Sequence, residues 1–144
     1  MAKFSFQLQK ILDLRNSEKQ QAEAELAKAL AVENQIKENL KQIAYQYATL
    51  KSQMKGSVNI EDIISQGQYN NLLEYQKEEL LKQQAEAHLV TEEKRGVLLE
   101  LIKKTTSLEK LKEKQFQEFK IEQRRLENIK ADDLNSKRFQ NNTN

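Results

Sequence analysis

On both sides of one break, the apolar side chains of this chain recur at alternating steps of three and four residues. That spacing holds them on one narrow stripe of an α-helix, the pattern of a coiled-coil seam rather than of a broad globular face. Before the break the stripe runs Phe4, Leu8, Ile11, Arg15, Glu18, Ala22, Leu26, Ala29, Glu33, Ile36, Leu40, Ile43, Tyr47, Leu50 and Met54. Two successive steps of four, Glu18 to Ala22 to Leu26, read as one stutter, which locally unwinds a supercoil. Phe4, Phe6 and Leu8 alternate as a strand would, but no second strand is in sight, so a helical or frayed start is expected. The break is Gly56-Ser57-Val58-Asn59.

Beyond it, Asn59 is placed to cap a second helix, with Glu61 and Asp62 near the positive end of its dipole. A seven-residue row follows: Leu73, Leu80, Ala87, Lys94, Leu101, Leu108. Val90, Val97 and Leu111 interleave with it as the expected second row of the seam. Phe116, Phe119, Leu126 and Ile129 carry the helical spacing onward. Gly67 is a candidate second bend. Glu33–Lys37, Glu78–Lys82 and Glu100–Lys104 are spaced for ion pairs along a helix.

Composition narrows the choice to long helix. The 144 residues hold no Pro, three Gly, 38% hydrophobic and 32% charged side chains. That is too polar, and too poor in turn residues, for a sandwich or barrel. The expected architecture is therefore all-α: a long antiparallel two-helix coiled-coil hairpin with a C-terminal helical overhang. Residues 1–139 form one coiled-coil domain, with helix 1 over about 3–55, the connection at 56–59 and helix 2 over about 59–138. The polar tail 140–144 is expected to be disordered. A fold-back centred near residue 57 sets Ile43 beside Leu72, Ala29 beside Ala87, Leu8 beside Leu108 and Phe4 beside Leu111. Arg15 then comes within reach of Glu100. The stretch after Leu111 is left with an uncovered apolar stripe, and such a stripe calls for a partner chain.

The same residues exclude most chemistry. Without Cys there is no disulfide, thiolate zinc site or Cys nucleophile. With His88 alone there is no His-pair metal motif. Glu78–Glu79, Glu92–Glu93 and Asp132–Asp133 are sequence neighbours, which point apart on a helix, so they form no acid–base dyad. No Gly-rich phosphate loop or nucleophile elbow occurs, so no enzyme activity and no cofactor or metal is expected. No apolar run approaches the roughly 18–20 residues of a membrane span, and MAKFSFQLQK lacks the apolar core of a secretory signal. Residues 1–58 carry 9 basic and 6 acidic side chains, and residues 59–144 carry 15 and 16. Neither half has the positive field that nucleic acid would select.

Binding residues are then sought at the two ends. Tyr45, Tyr47, Tyr69 and Tyr75 come together in sequence near the fold-back, and tyrosines are frequent interface anchors. Tyr47 lies on the stripe and is expected in the seam.

The opening Phe4-Ser5-Phe6-Gln7-Leu8-Gln9, followed by Leu12-Asp13-Leu14-Arg15, Glu18, Ala22 and Leu26-Ala27, resembles the start of the bacterial flagellar FliJ family. Leu108-Glu109-Lys110-Leu111-Lys112-Glu113-Lys114 with Phe119 resembles its second signature. Arg124-Arg125-Leu126-Glu127 and Asp132-Asp133 through Arg138-Phe139 resemble its third, although the family often has Leu-Asp-Glu where this chain has Ala131-Asp132-Asp133. The resemblance implies a coiled-coil component of the flagellar type III protein export apparatus, shaped like the stalk of a rotary ATPase. It implies binding in the central pore of a hexameric export ATPase through Phe4, Phe6, Leu8, Phe116, Phe119, Arg124, Arg125 and Arg138. It implies contact with a membrane export gate protein around Tyr45, Tyr69, Leu72 and Tyr75, and handling of export chaperones. The expectation is an elongated monomer when free, cytoplasmic and peripheral at the flagellar basal body, with no nucleic acid and no direct lipid binding. Two alternatives stand beside it: the stalk of an injectisome, and a generic self-associating coiled coil.

Overall fold

A computed structural model describes residues 2–56 and 59–142. Among them are two helices and no strand: α1 over Gln9–Met54 and α2 over Ile60–Asn142. The two pack against each other as a hairpin. Asn59 caps α2 as its residue type predicts. Its Oδ1 accepts from Glu61 N at 3.1 Å, and its carbonyl accepts from Ile63 N at 3.1 Å. Glu61 and Asp62 occupy the first turn. Ser57 and Val58, in the expected connection, lie outside the described residues.

The helix limits differ from expectation at three places. Residues 2–6 are not helical, and α1 begins at Gln9, whose N–H donates to Phe6 O at 3.0 Å. The alternation of Phe4, Phe6 and Leu8 therefore marked a non-helical lead-in that turns at Leu8 and docks Phe4 on α2 instead of pairing to a strand. Gly67 makes no bend, because α2 runs through it without interruption. Gln140, Asn141 and Asn142 are helical where a disordered tail was expected, and Thr143 and Asn144 lie outside the described residues.

Both helices contribute to two compact units, one of Lys19–Glu100 and one of Met1–Glu18 with Leu101–Asn144. In the first, Ile43, Leu50 and Leu73 form a buried cluster, with Tyr47 and Leu80 packed on it. Tyr47 sits in the seam as expected. Loss of water around its hydroxyl, with Glu74 and Glu78 nearby, pushes its ionisation up to about 12. In the second unit Phe6 and Leu12 are buried, and Phe4 packs on Phe116 and Phe119.

The seam differs from the expected one in detail. On α1 it enters at Leu12, which is buried, while Ile11 is exposed. From Leu12 the half-buried and buried positions step through Arg15, Lys19, Ala22, Leu26, Ala29, Glu33 and Ile36 to Leu50 by strict threes and fours. The stutter thus disappears: it came from choosing Ile11 and Glu18 over their neighbours. On α2 the row from Leu73 to Leu108 faces inward as expected. Its companion row does not consist of Val90, Val97 and Leu111, which are exposed. It is the row one residue later, where Thr91 and Thr105 are buried.

The pairing register is also displaced. Glu33 Oε1 lies 3.5 Å from His88 Nδ1, Tyr47 feels Glu74, and Phe4 touches Phe116. Each pair is offset by about five residues from the expected register, roughly 7 Å of helix rise. The cause is at the fold-back. Counting out from Tyr47 and Glu74, Met54 comes opposite Gly67, so the first two turns of α2 extend past the last residue of α1. A centre at residue 57 assumed that both helices reach the turn together. Arg15 borders a groove with Lys104 and Ser107, and it forms its ion pair with Glu18 at 3.1 Å. Among the pairs expected at i,i+4, Lys82 bonds Glu79 at 3.7 Å, three residues away, and Glu33 turns into the seam.

Candidate partner-binding surfaces

In the unit that holds both termini, the non-helical N-terminal residues lay the Phe4 ring against two rings of α2. The Phe4 ring centroid is 5.2 Å from Phe116, tilted by 57°, and 5.6 Å from Phe119, tilted by 49°. These are the tilted geometries that the aromatic quadrupole favours. Lys120 Nζ stands 4.5 Å over the Phe116 ring. Phe6 is buried in the same unit, and the Leu8 carbonyl accepts from Leu12 N at 2.9 Å.

The expected stripe of Phe116 and Phe119 is therefore not uncovered: Phe4 lies on it. The five-residue register shift is the reason. What does remain exposed is the continuation of the same rows, Leu126 and Ile129, on a stretch of α2 where every residue from Arg124 to Asn142 is exposed. The overhang exists, but it starts after Phe119 instead of after Leu111.

The three arginines differ in kind. Arg125 holds Glu122 with two bonds, Nη2 to Oε1 at 2.7 Å and Nε to Oε2 at 3.1 Å. That hydrogen bonding lowers the Glu122 ionisation and raises that of Arg125. Arg124 and Arg138 are exposed.

In the other unit, Tyr45, Tyr69, Leu72 and Tyr75 are all exposed. Tyr69 and Leu72, three apart on α2, share one flank. Tyr45 lies between the inward-facing Ile43 and Tyr47, and Tyr75 lies two residues past inward-facing Leu73. Tyr45 therefore sits on the outer back of α1, whereas Tyr75 stands three residues beyond Leu72 and reaches a groove between the helices. That groove, of about 380 Å³, is also lined by Ile43, Gln46, Glu79 and Leu80. Periodicity did not single out Ile60, Ile63 and Ile64, which are exposed on the turns of α2 that extend past α1. Their spacing is apolar and helical, but only the register shows that no α1 residue stands opposite.

Among the described residues no group of three or more His, Asp or Glu is gathered to hold a metal ion. No helix among the described residues is long and apolar enough to cross a membrane.

A family model described as "Flagellar FliJ protein" matches residues 4–144. The chain belongs to the FliJ family. It is 24% identical over 145 residues to the flagellar FliJ protein of Bacillus subtilis (strain 168), an alignment covering 94% of this chain and 95% of that protein. No solved structure matches. As a FliJ-family member, this chain is a coiled-coil protein associated with flagellar export. That places it on the flagellar side of the alternatives raised above.

Proposed function

We propose that this chain binds the central pore of the hexameric flagellar export ATPase with the end of the hairpin that carries both termini, and couples the ATPase to the membrane export gate through the fold-back end. The observation that carries the first half is the stripe of Leu126 and Ile129. It continues the seam rows of α2 beyond the Phe4 contact with nothing of α1 opposite. A helical surface that presents a seam without its second helix is suited to pairing with helices of another protein. Arg124 and Arg138, on the opposite face of the same helix, serve charge complementarity toward the wall of the pore. At the other end, Tyr69 and Leu72 on one flank of α2, together with Ile60, Ile63 and Ile64, offer apolar side chains for the gate protein. Tyr75 adds to this surface at the edge of the groove, and Tyr45 serves it from the outer face of α1. The chain acts as a monomer at the cytoplasmic face of the basal body, and its handling of export chaperones belongs to the same role.

The test is the hydrolysis rate and oligomeric state of the cognate export ATPase with and without this protein. The expected result is promotion of the hexamer and faster hydrolysis. Because Phe116 and Phe119 hold Phe4, their loss would disturb the fold as well as any interface. Leu126→Ala with Ile129→Ala is the cleaner variant, since both residues are exposed. It should keep helicity by circular dichroism and weaken ATPase binding by at least about tenfold, as loss of interface anchors does. Undiminished binding would remove the overhang from the interface. A stable homodimer of this chain, with no effect on the ATPase, would favour a self-associating scaffold.

A further inference from the structure

Helix α2 carries two candidate companion rows for the same inward row of Leu73, Leu80, Ala87, Leu101 and Leu108. One lies three residues on from it, at Val90, Val97, Lys104 and Leu111; the other lies four on, at Thr91, Leu98, Thr105 and Lys112. The structure uses the second. Thr91 is 1% exposed and Thr105 2%, whereas Val90 is 45% exposed and Val97 50%. The more apolar row is therefore outside and the more polar row inside.

Two observations show why the polar row is tolerated. The buried hydroxyls are bonded within their own helix, Thr91 Oγ1 to Ala87 O at 3.0 Å and Thr105 Oγ1 to Leu101 O at 2.7 Å. Neither leaves an orphan in the seam. The second observation is Glu33. It is buried on α1, and its carboxylate faces Thr91 and His88 of α2, with Lys37 near it on α1. If Val90 were turned inward, methyl groups would meet that carboxylate. Its hold on the present arrangement is incomplete, since Oε1 stands 3.5 Å from His88 Nδ1, beyond a good hydrogen bond.

We propose that α2 has two seam phases on α1, related by a rotation of about 50° around its own axis, and that Glu33 selects the phase seen here. Both phases keep the Leu73-to-Leu108 row in contact with α1. In the second phase Val90, Val97 and Leu111 enter the seam, with the stem of Lys104 between the last two, and Thr91 and Thr105 leave it. Tyr69 belongs to the same row as Val90, three heptads earlier, so the second phase also turns Tyr69 inward. Since α2 is one helix from Ile60 to Asn142, the choice made at Thr91 carries along it. A partner that favours one phase at one position thereby changes what α2 presents elsewhere.

The chain has no cysteine of its own, so single-cysteine variants report accessibility without background. Val90→Cys, Thr91→Cys, Thr105→Cys and Leu111→Cys are each treated with a maleimide, and the labelling rate is followed by mass spectrometry. With Glu33 present, Thr91→Cys should label at least about tenfold more slowly than Val90→Cys, and Thr105→Cys more slowly than Leu111→Cys, as burial limits access to the thiolate. With Glu33→Leu, both orders should reverse while helicity is kept. Unchanged orders in that background would overturn the proposal. So would equally fast labelling at all four positions, which signals a loosened seam instead of a second phase. If Glu33→Leu aggregates, Glu33→Gln is the substitute: a narrowed gap between Val90→Cys and Thr91→Cys supports two phases, and an unchanged gap refutes them.

Discussion

Leu73 and Leu72 are adjacent in sequence and opposite in environment, so together they test the seam. Leu73 is 1% exposed within the cluster of Ile43 and Leu50, and Leu72 is 50% exposed. Leu73→Ala removes three buried carbons, which at about 0.8 kcal/mol each gives roughly 2.4 kcal/mol. The cavity adds little, because a seam between only two helices can close from its open flanks. The expected loss is about 2.5 kcal/mol. Leu72→Ala loses contact mainly with its own helix and gains slightly in helix propensity, so about 0.5 kcal/mol or less is expected. Urea unfolding followed by circular dichroism at 222 nm, with a common slope for both variants, measures the difference. A two-helix hairpin sits at the low end of domain stabilities, so a gap of about 2 kcal/mol is a large fraction of the total. If Leu72→Ala cost as much as Leu73→Ala, α2 would not be turned as described, and the buried row would be wrong by one residue.

Gly96 and Gly67 sit inside α2 without positive φ, and a methyl group added at either would meet no heavy atom within 4 Å. Gly96→Ala and Gly67→Ala should therefore each raise stability by roughly 0.5–1 kcal/mol in the same unfolding assay, through backbone entropy alone; a loss at either site would mean that the glycine meets something there. Glu33 gives a pH signature. The Thr91 hydroxyl foremost, then His88 and Lys37, hold its carboxyl below the ordinary value of 4.5 against the opposing effect of burial. A depressed folded value means that the ionised form stabilises the fold above the ordinary range, and that this contribution fades as pH falls through the folded value. Measured against Glu33→Gln, which shares every other carboxylate, the natural chain should lose stability as pH drops below 4.5. A pH-independent difference between the two would refute the assignment.

The all-helical hairpin was legible because periodicity acts over dozens of residues, so single errors do not move it. Asn59 was legible because a cap is a local device. The row choice on α2 was not. Val90 and Thr91 both satisfy the spacing from Ala87, and hydrophobicity favours the residue that the structure leaves outside. What decides between them is a carboxylate on the other helix, and no pattern within α2 can report it. The register failed for a related reason: a turn's place in sequence does not say how far each helix runs before reaching it. That one shift moved Phe4 from Leu111 to Phe116 and altered the expected site. Charge and composition could not separate Arg125, tied to Glu122, from Arg124, because that distinction rests on side-chain geometry alone.

Beyond Phe119 the helix α2 keeps going with no second helix against it. A free peptide of that length would scarcely hold helical order in water, because starting a helix is costly. Here the start is already made: the packed turns before Phe119 act as a template, and each later residue only extends an existing ladder. Such an extension melts from the turns farthest from that template inward. Amide exchange should therefore grade from slow near Phe119 to fast near Asn142, with no single opening event. Whatever covers Leu126 and Ile129 would meet a surface that is ordered at its root and fluctuating at its tip. It would bear an ordering cost that rises with each further turn it engages, so the depth of engagement becomes adjustable instead of all-or-none.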